Sequence, residues 1–273
     1  MPGSYTAASD PSKRVFYNPA MNAAIAQQLL QLNRKFYADF GAQFSSTRQR
    51  IQPGVRKIIA TFEKTENILD LGCGNGELAR VLAQMGFQGN YTGLDFSLPL
   101  LKDAQLQSAE FPTKFLAADL TASDWANLIE PVAIKPVDSN PGQFSVVTAF
   151  AVLHHIPGME LREKILKTTH ALLAPQGRLI HSNWQFLNSP KLKQRIQPWE
   201  TIGLSAQDVD PQDYLLDWRA GGSGLRYVHS FSAGELTQLA ANTGFREKET
   251  FLSDGEGGNL GLYQVWERYE NKG

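Results

Sequence analysis

The chain has 273 residues, enough for one sizeable domain with a substantial core, and its 26 Lys and Arg nearly cancel 27 Asp and Glu. A net charge of −1 excludes a global field that would draw it to nucleic acid or anionic lipid, so any such binding must come from local patches. One cysteine excludes an internal disulfide and argues against a cysteine-based zinc site.

Residues 1–18 are rich in Ser, Pro and Ala and are expected to form a loose tail, with no apolar core of signal-peptide length. The longest apolar run, 146–153, is far too short to span a bilayer, so a soluble, cytoplasmic protein is expected. From 20 to 40, Ile25, Leu29, Leu32, Phe36 and Phe40 recur at helical spacing, and one or two helices form a cap over about 20–62. Strands and helices then alternate: strand 67–71, helix 77–85, strand 90–94, helix 98–108, strand 114–118, short helix 123–129, strand 144–150, helix 160–173 and strand 178–182. That rhythm predicts an α/β fold with a mostly parallel sheet and helices on both faces. A helix at 233–241 precedes two β-rich runs, 245–252 and 260–268, joined by a Gly-rich turn, which suits a closing antiparallel edge hairpin. Residues 19–273 are therefore read as a single domain. The excursion 184–229 carries Trp184, Trp199 and Trp218, and a connection so long and aromatic is read as a lid on the substrate side.

The most informative segment is Ile68-Leu-Asp-Leu-Gly-Cys-Gly-Asn-Gly76, followed by Asp95 and Phe96 at the end of the next strand. Glycines let a backbone approach a ligand, and a carboxylate at the neighbouring strand tip accepts from a ribose. A dinucleotide site has G-x-G-x-x-G and aims a helix N-terminus at a pyrophosphate. Here the third glycine comes one residue early and Asp70 precedes the turn, so an anion is a poor ligand and a cationic amino-acid nucleoside a better one. The third strand ends in Asp119 and Leu120, the fourth in Phe150 followed by His154 and His155. Asp95 is expected to accept from the ribose, Phe96 to cover the adenine, Asp119 to take its amine, and Asp70 to lie near an ammonium group. Gly72, Cys73 and Gly74 form the floor, Cys73 serving as a small packing residue rather than a nucleophile. Asp at a strand end is also an ordinary helix cap or turn former, but three such tips beside one glycine turn favour the joint reading. Adjacent histidines on a turning segment point apart, so they make no metal pair, and no metal is expected. One packs, and His155 faces the site as a candidate general base or donor.

The glycine and acidic motifs resemble the first two motifs of class I S-adenosylmethionine-dependent methyltransferases. Further segments resemble the wobble-uridine tRNA carboxymethyl methyltransferases, the yeast enzyme and the methyltransferase module of AlkB-like tRNA-modifying proteins. These are Phe36-Tyr37-Ala-Asp-Phe40 with Phe44 to Arg48, Ala151-Val-Leu-His-His155, Leu179-Ile180 with Trp184, Asp213-Tyr-Leu-Leu-Asp-Trp218, and Arg226-Tyr-Val-His-Ser-Phe231 with Gly234-Glu-Leu236. Leu216-Asp217 stands where that family has Val-Pro, and Val228 replaces an aromatic. The resemblance implies a Rossmann-like class I methyltransferase fold with a seven-stranded sheet, S-adenosylmethionine as cofactor, and Tyr37 and Arg48 beside it. It also implies an acceptor site at His155, Trp184, Trp218, Arg226 and His229, and methyl transfer to a carboxylate of carboxymethyluridine in tRNA, with a small activating partner protein. A monomer is otherwise expected. Basic stretches at Arg48–Lys57 and Lys191–Arg195 suit a phosphate backbone or equally a solvated face. A small-molecule acid acceptor and a non-catalytic cofactor-binding scaffold remain the alternatives. An ionised acceptor needs no base, whereas a hydroxyl or amine would make His155 the base.

Overall fold

The computed structural model describes residues 21–47, 51–106, 110–129, 143–219 and 222–269, so the tail at 1–18 and Arg48 lie outside the described residues. Seven strands form the main sheet: β1 (Asn67–Leu71), β2 (Asn90–Asp95), β3 (Thr113–Ala117), β4 (Phe144–Phe150), β5 (Leu173–Trp184), β9 (Phe245–Ser253) and β10 (Gly261–Arg268). Their order is β3-β2-β1-β4-β5-β10-β9, with the first five parallel and β10 antiparallel to both neighbours. The Rossmann-like fold with its antiparallel C-terminal strands is as the sequence predicts.

Every residue of β1 is buried, as befits a central strand covered on both faces. Period two divides its side chains between two cores. Ile68, Val146 and Ile180 pack with α2 (Pro53–Ile59) and α3 (Glu77–Gln84). Leu69, Val147 and Leu179 face the opposite layer, with Ile165 and Leu166 of α5 (Met159–Leu172) and Leu236 and Leu239 of α7 (Ala233–Asn242). The Ser232 hydroxyl caps α7 by accepting from the Glu235 N–H at 3.1 Å. Helix α4 (Leu98–Leu106) links β2 to β3, and a 3₁₀ turn occupies Trp125–Leu128, where a short helix is expected.

Two helices, α1 (Ala23–Thr47) and α2, precede β1, within the one or two predicted at the start. Among the described residues no helix is long and apolar enough to cross a membrane. The excursion after β5 builds its own antiparallel sheet, an element the sequence reading does not contain. Short α6 (Pro190–Lys193) is followed by β6 (Ile196–Gln197), β7 (Asp213–Trp218) and β8 (Gly224–His229), in the order β6-β7-β8. Its apolar side meets α1, where Leu29 packs with Val209 and Tyr227 and, around them, Ile25, Leu32 and Trp199. The excursion thus braces α1, and its β8 strand also meets the turn after β4 through Tyr227 and His155.

Candidate functional site

A cavity of about 260 Å³ opens at the carboxyl ends of β1, β2, β3 and β4, closed on its outer side by α1. Ligands of open α/β sheets bind in this position, where neighbouring strands diverge from the helices that follow them. The floor is the turn after β1. Gly72 has φ +72°, and a Cβ there would lie 2.5 Å from Val152 Cγ2, so only glycine closes the turn against the β4 loop. The Gly72 and Cys73 N–H groups both donate to the Leu94 carbonyl, at 2.7 and 2.9 Å, which ties the turn to β2. Burial pushes the Cys73 thiol well above its ordinary range, so it lines the floor as an uncharged packing group.

Three strand-tip carboxylates stand around this floor, and Glu77 at the start of α3, paired with Arg80, lines it as well. Asp95 accepts from the Gly74 N–H at 2.9 Å and from the Ser97 N–H at 2.8 Å, and burial raises its pKa. Asp70 is 4 % exposed. It accepts from the Tyr91 hydroxyl at 2.5 Å and the Thr148 hydroxyl at 2.7 Å, while burial pushes its carboxyl up to about 6. Asp119, at the β3 tip, is half-exposed, accepts from the Thr121 N–H at 3.0 Å and pairs with Arg34 of α1. Such a set repels a pyrophosphate and suits a ligand that is cationic and rich in N–H and O–H donors. S-adenosylmethionine has both properties, so the residues present fit it.

On the α1 side the wall is made by Leu30, Asn33, Arg34 and Tyr37, one stripe of the helix. Sequence reading finds Tyr37 through the resemblance and misses Asn33 and Arg34, although their spacing from Leu30 and Tyr37 marks a second face beside the apolar one. Phe96, Leu120, Phe150 and His155 complete the lining. Phe96 is 41 % exposed, and its ring meets Tyr37 edge-on at 5.7 Å.

The two histidines differ in burial, although their ring centres lie only 4.3 Å apart on the 3₁₀ turn, closer than side chains that point apart. His154 is buried and its Nδ1 accepts from the Trp184 N–H at 3.3 Å. His155 reaches the cavity with both ring nitrogens fixed: Nδ1 lies 3.2 Å from the Tyr227 carbonyl and Nε2 lies 3.1 Å from the Tyr37 hydroxyl. A carbonyl only accepts, so the proton sits on Nδ1, and the Nε2 lone pair, which accepts from Tyr37, is the basic one. The turn leading to it begins at Ala151, held at φ +58° by donating to the Ser182 carbonyl and hydroxyl. A non-glycine residue in the left-handed region carries strain, which persists here because the strand tip over-determines it.

Trp184, Trp218, Arg226 and His229, expected to line an acceptor site with His155, do not line this cavity. Arg226 is buried 4.6 Å from the Trp184 ring centre, 5.8 Å from that of Trp218 and 5.4 Å from that of Phe36, behind α1. His229 is 2 % exposed, with Nδ1 2.6 Å from Asp213 Oδ1 and Nε2 2.9 Å from Glu235 Oε1. Arg162 completes that buried group by donating to the Tyr227 hydroxyl at 2.9 Å, which in turn donates to Asp213 at 2.7 Å. The strand's period explains the split, since 226 and 229 fall on opposite faces of β8.

A family model describing a methyltransferase domain matches residues 44–249. A protein of Encephalitozoon cuniculi (strain GB-M1) that carries a provisional methyltransferase name is 26% identical over 213 residues, 78% of this chain and 86% of its own length. The ubiquinone biosynthesis O-methyltransferase of Pseudomonas aeruginosa (strain UCBPP-PA14) is 31% identical over 117 residues, spanning 43% of this chain and 44% of that protein. Among solved structures, the Burkholderia thailandensis 1,6-didemethyltoxoflavin-N1-methyltransferase, with its acceptor and S-adenosylhomocysteine bound, is similar in fold. It has a TM-score of 0.59 and 18% identity, covering 94% of each chain. The magnesium protoporphyrin IX methyltransferase of Synechocystis PCC 6803, solved with S-adenosylhomocysteine, has a TM-score of 0.54 at 17% identity, covering 88% of this chain and 99% of that one. With that fold, that glycine floor and that ring of carboxylates, the chain belongs to the methyltransferase-domain family and is a class I S-adenosylmethionine-dependent methyltransferase.

Proposed function

We propose that the protein methylates an oxygen of its acceptor and that His155 removes the acceptor's proton. The wiring of His155 carries this reading: an Nδ1 proton committed to a carbonyl leaves a basic Nε2 facing Tyr37 on the cavity wall. When bound, S-adenosylmethionine supplies an electrophilic methyl group on a sulfonium. Asp95 would hold the ribose hydroxyls, Phe96 the adenine face, Asp119 with Arg34 the adenine edge, and Asp70 the ammonium. The acceptor then enters between Tyr37, Phe96 and His155. His155 Nε2 would take the proton of the acceptor oxygen that receives the methyl group. The partial likeness to an O-methyltransferase is consistent with an oxygen acceptor.

A second reading follows the tRNA resemblance, in which the acceptor is an ionised carboxylate. Its support is the exposed Lys191 and Lys193 of α6, beside Arg195, on the excursion. It is the weaker reading because neither Arg226 nor His229, the side chains that would orient an acid beside His155, lines the cavity. The experiment that separates the two uses methyl-labelled S-adenosylmethionine with a panel of phenols, small acids and bulk tRNA from cells lacking the gene. A hydroxyl acceptor predicts that His155→Asn lowers kcat by roughly 10²-fold or more. Label in tRNA with an active His155→Asn variant would establish the second reading instead.

A further inference from the structure

We propose that Asn33 is the positioning residue that fixes the tautomer and place of His155. Its side chain joins three segments distant in sequence. Asn33 Nδ2 donates to the His155 carbonyl and to the Tyr227 carbonyl, each at 3.2 Å, and Asn33 Oδ1 accepts from the Tyr227 N–H at 2.8 Å. At 4 % exposure the amide is shielded from water that could replace these bonds. The Tyr227 carbonyl is also the acceptor of the His155 Nδ1 proton. One amide therefore holds both ends of the bond that commits the proton to Nδ1: the carbonyl that receives it and the backbone of the residue that donates it. Asparagine is the side chain for the task, because it offers two N–H donors and one acceptor in a plane. Aspartate keeps the acceptor and loses both donors, and serine is too short to span three partners.

This rests on His155 being the base, but the structural half can be read without any acceptor. The chain has five histidines, so an ¹⁵N-labelled sample with S-adenosylhomocysteine gives five ring systems, with His155→Asn assigning one of them. In the wild type, His155 is expected as the Nδ1–H tautomer. In Asn33→Ala the signal should move toward a mixture with Nε2–H, with kcat lowered at least about tenfold and KM changed less. Asn33→Asp should show the same loss without rescue, and Asn33→Ser serves if the alanine variant does not fold. Tyr227→Phe is the control. It removes the hydroxyl shared with Arg162 and Asp213 but keeps the carbonyl, so its melting temperature should fall while the His155 tautomer stays. An unchanged His155 spectrum and kcat in a folded Asn33 variant would overturn the proposal, as would the same tautomer shift in Tyr227→Phe. A tautomer shift with undiminished methyl transfer would support Asn33's role and instead overturn the assignment of His155 as the base.

Discussion

Asp70 combines deep burial with a carboxyl pushed up to about 6, mainly by loss of water and in spite of hydrogen bonds from Tyr91 and Thr148. An acid whose pKa rises on folding holds its proton more tightly in the native state. Its contribution to apo stability is therefore fully present below the unfolded value near ~4 and is lost as pH rises through about 6, at a cost on the order of 3 kcal/mol. A cationic ligand has the opposite dependence, because it favours the carboxylate. Affinity for S-adenosylmethionine should accordingly weaken as pH falls from 7 to 5, with proton release on binding near pH 6, measured by calorimetry in buffers of different ionisation heat. Asp70→Asn should flatten the profile; a wild-type affinity independent of pH would separate Asp70 from the ammonium. Asp95 is tested differently, since it holds the turn and is proposed to hold the ribose as well. Asp95→Ala frees the Gly74 and Ser97 N–H groups and, on that proposal, would leave the ribose hydroxyls without an acceptor. S-adenosylhomocysteine binding should fall at least about tenfold, about 1.4 kcal/mol. Unchanged affinity in a folded variant would remove Asp95 from the cofactor site.

The turn between β1 and α3 is the element on which the cavity depends. Gly72→Ala meets two obstacles, a left-handed backbone and Val152 Cγ2 at 2.5 Å. Together these should cost about 1–3 kcal/mol, or roughly 2–4 °C of melting temperature per kcal/mol, with cofactor affinity falling as the β4 loop is displaced. A melting curve and affinity matching the wild type would contradict the packing argument. This element was legible in the sequence because a glycine turn after a buried strand has few other uses, and because parallel neighbours bring Asp70, Asp95, Asp119 and His155 to the same edge wherever the helices lie. The excursion was not legible in that way. Arg226 and His229 sit three apart on a strand, so alternation sends one toward Trp184 and the other toward Asp213 and Glu235. A motif resemblance registers such residues without recording which face each occupies. In the small sheet, β6 at Ile196–Gln197 is too short to show a period, while β7 and β8, six residues each, overlap the motif segments Asp213–Trp218 and Arg226–Phe231. Asn33 and Arg34 were obscured by the stronger apolar stripe on the same helix.

Over the whole molecule, the near balance of charge makes nucleic-acid binding a property of place. With a net charge of −1 there is no long-range attraction, so tRNA could be held only where cations gather, and the exposed lysines of α6 with Arg195 form such a place. They lie on the excursion between β5 and β7. Each phosphate contact adds about 0.7–0.9 to the slope of log affinity against log salt. Replacing Lys191, Lys193 and Arg195 together by Gln should flatten that slope by up to about 2–3 if all three touch phosphates, measured with bulk tRNA and S-adenosylhomocysteine. The cofactor affinity of the triple variant should stay at the wild-type value, because none of the three lines the cavity. Binding that is absent even at low ionic strength leaves a small acceptor entering beside His155, or a partner protein that supplies the basic surface. A pull-down from the native host decides between those two, because only the second predicts a bound protein whose removal abolishes methyl transfer to tRNA.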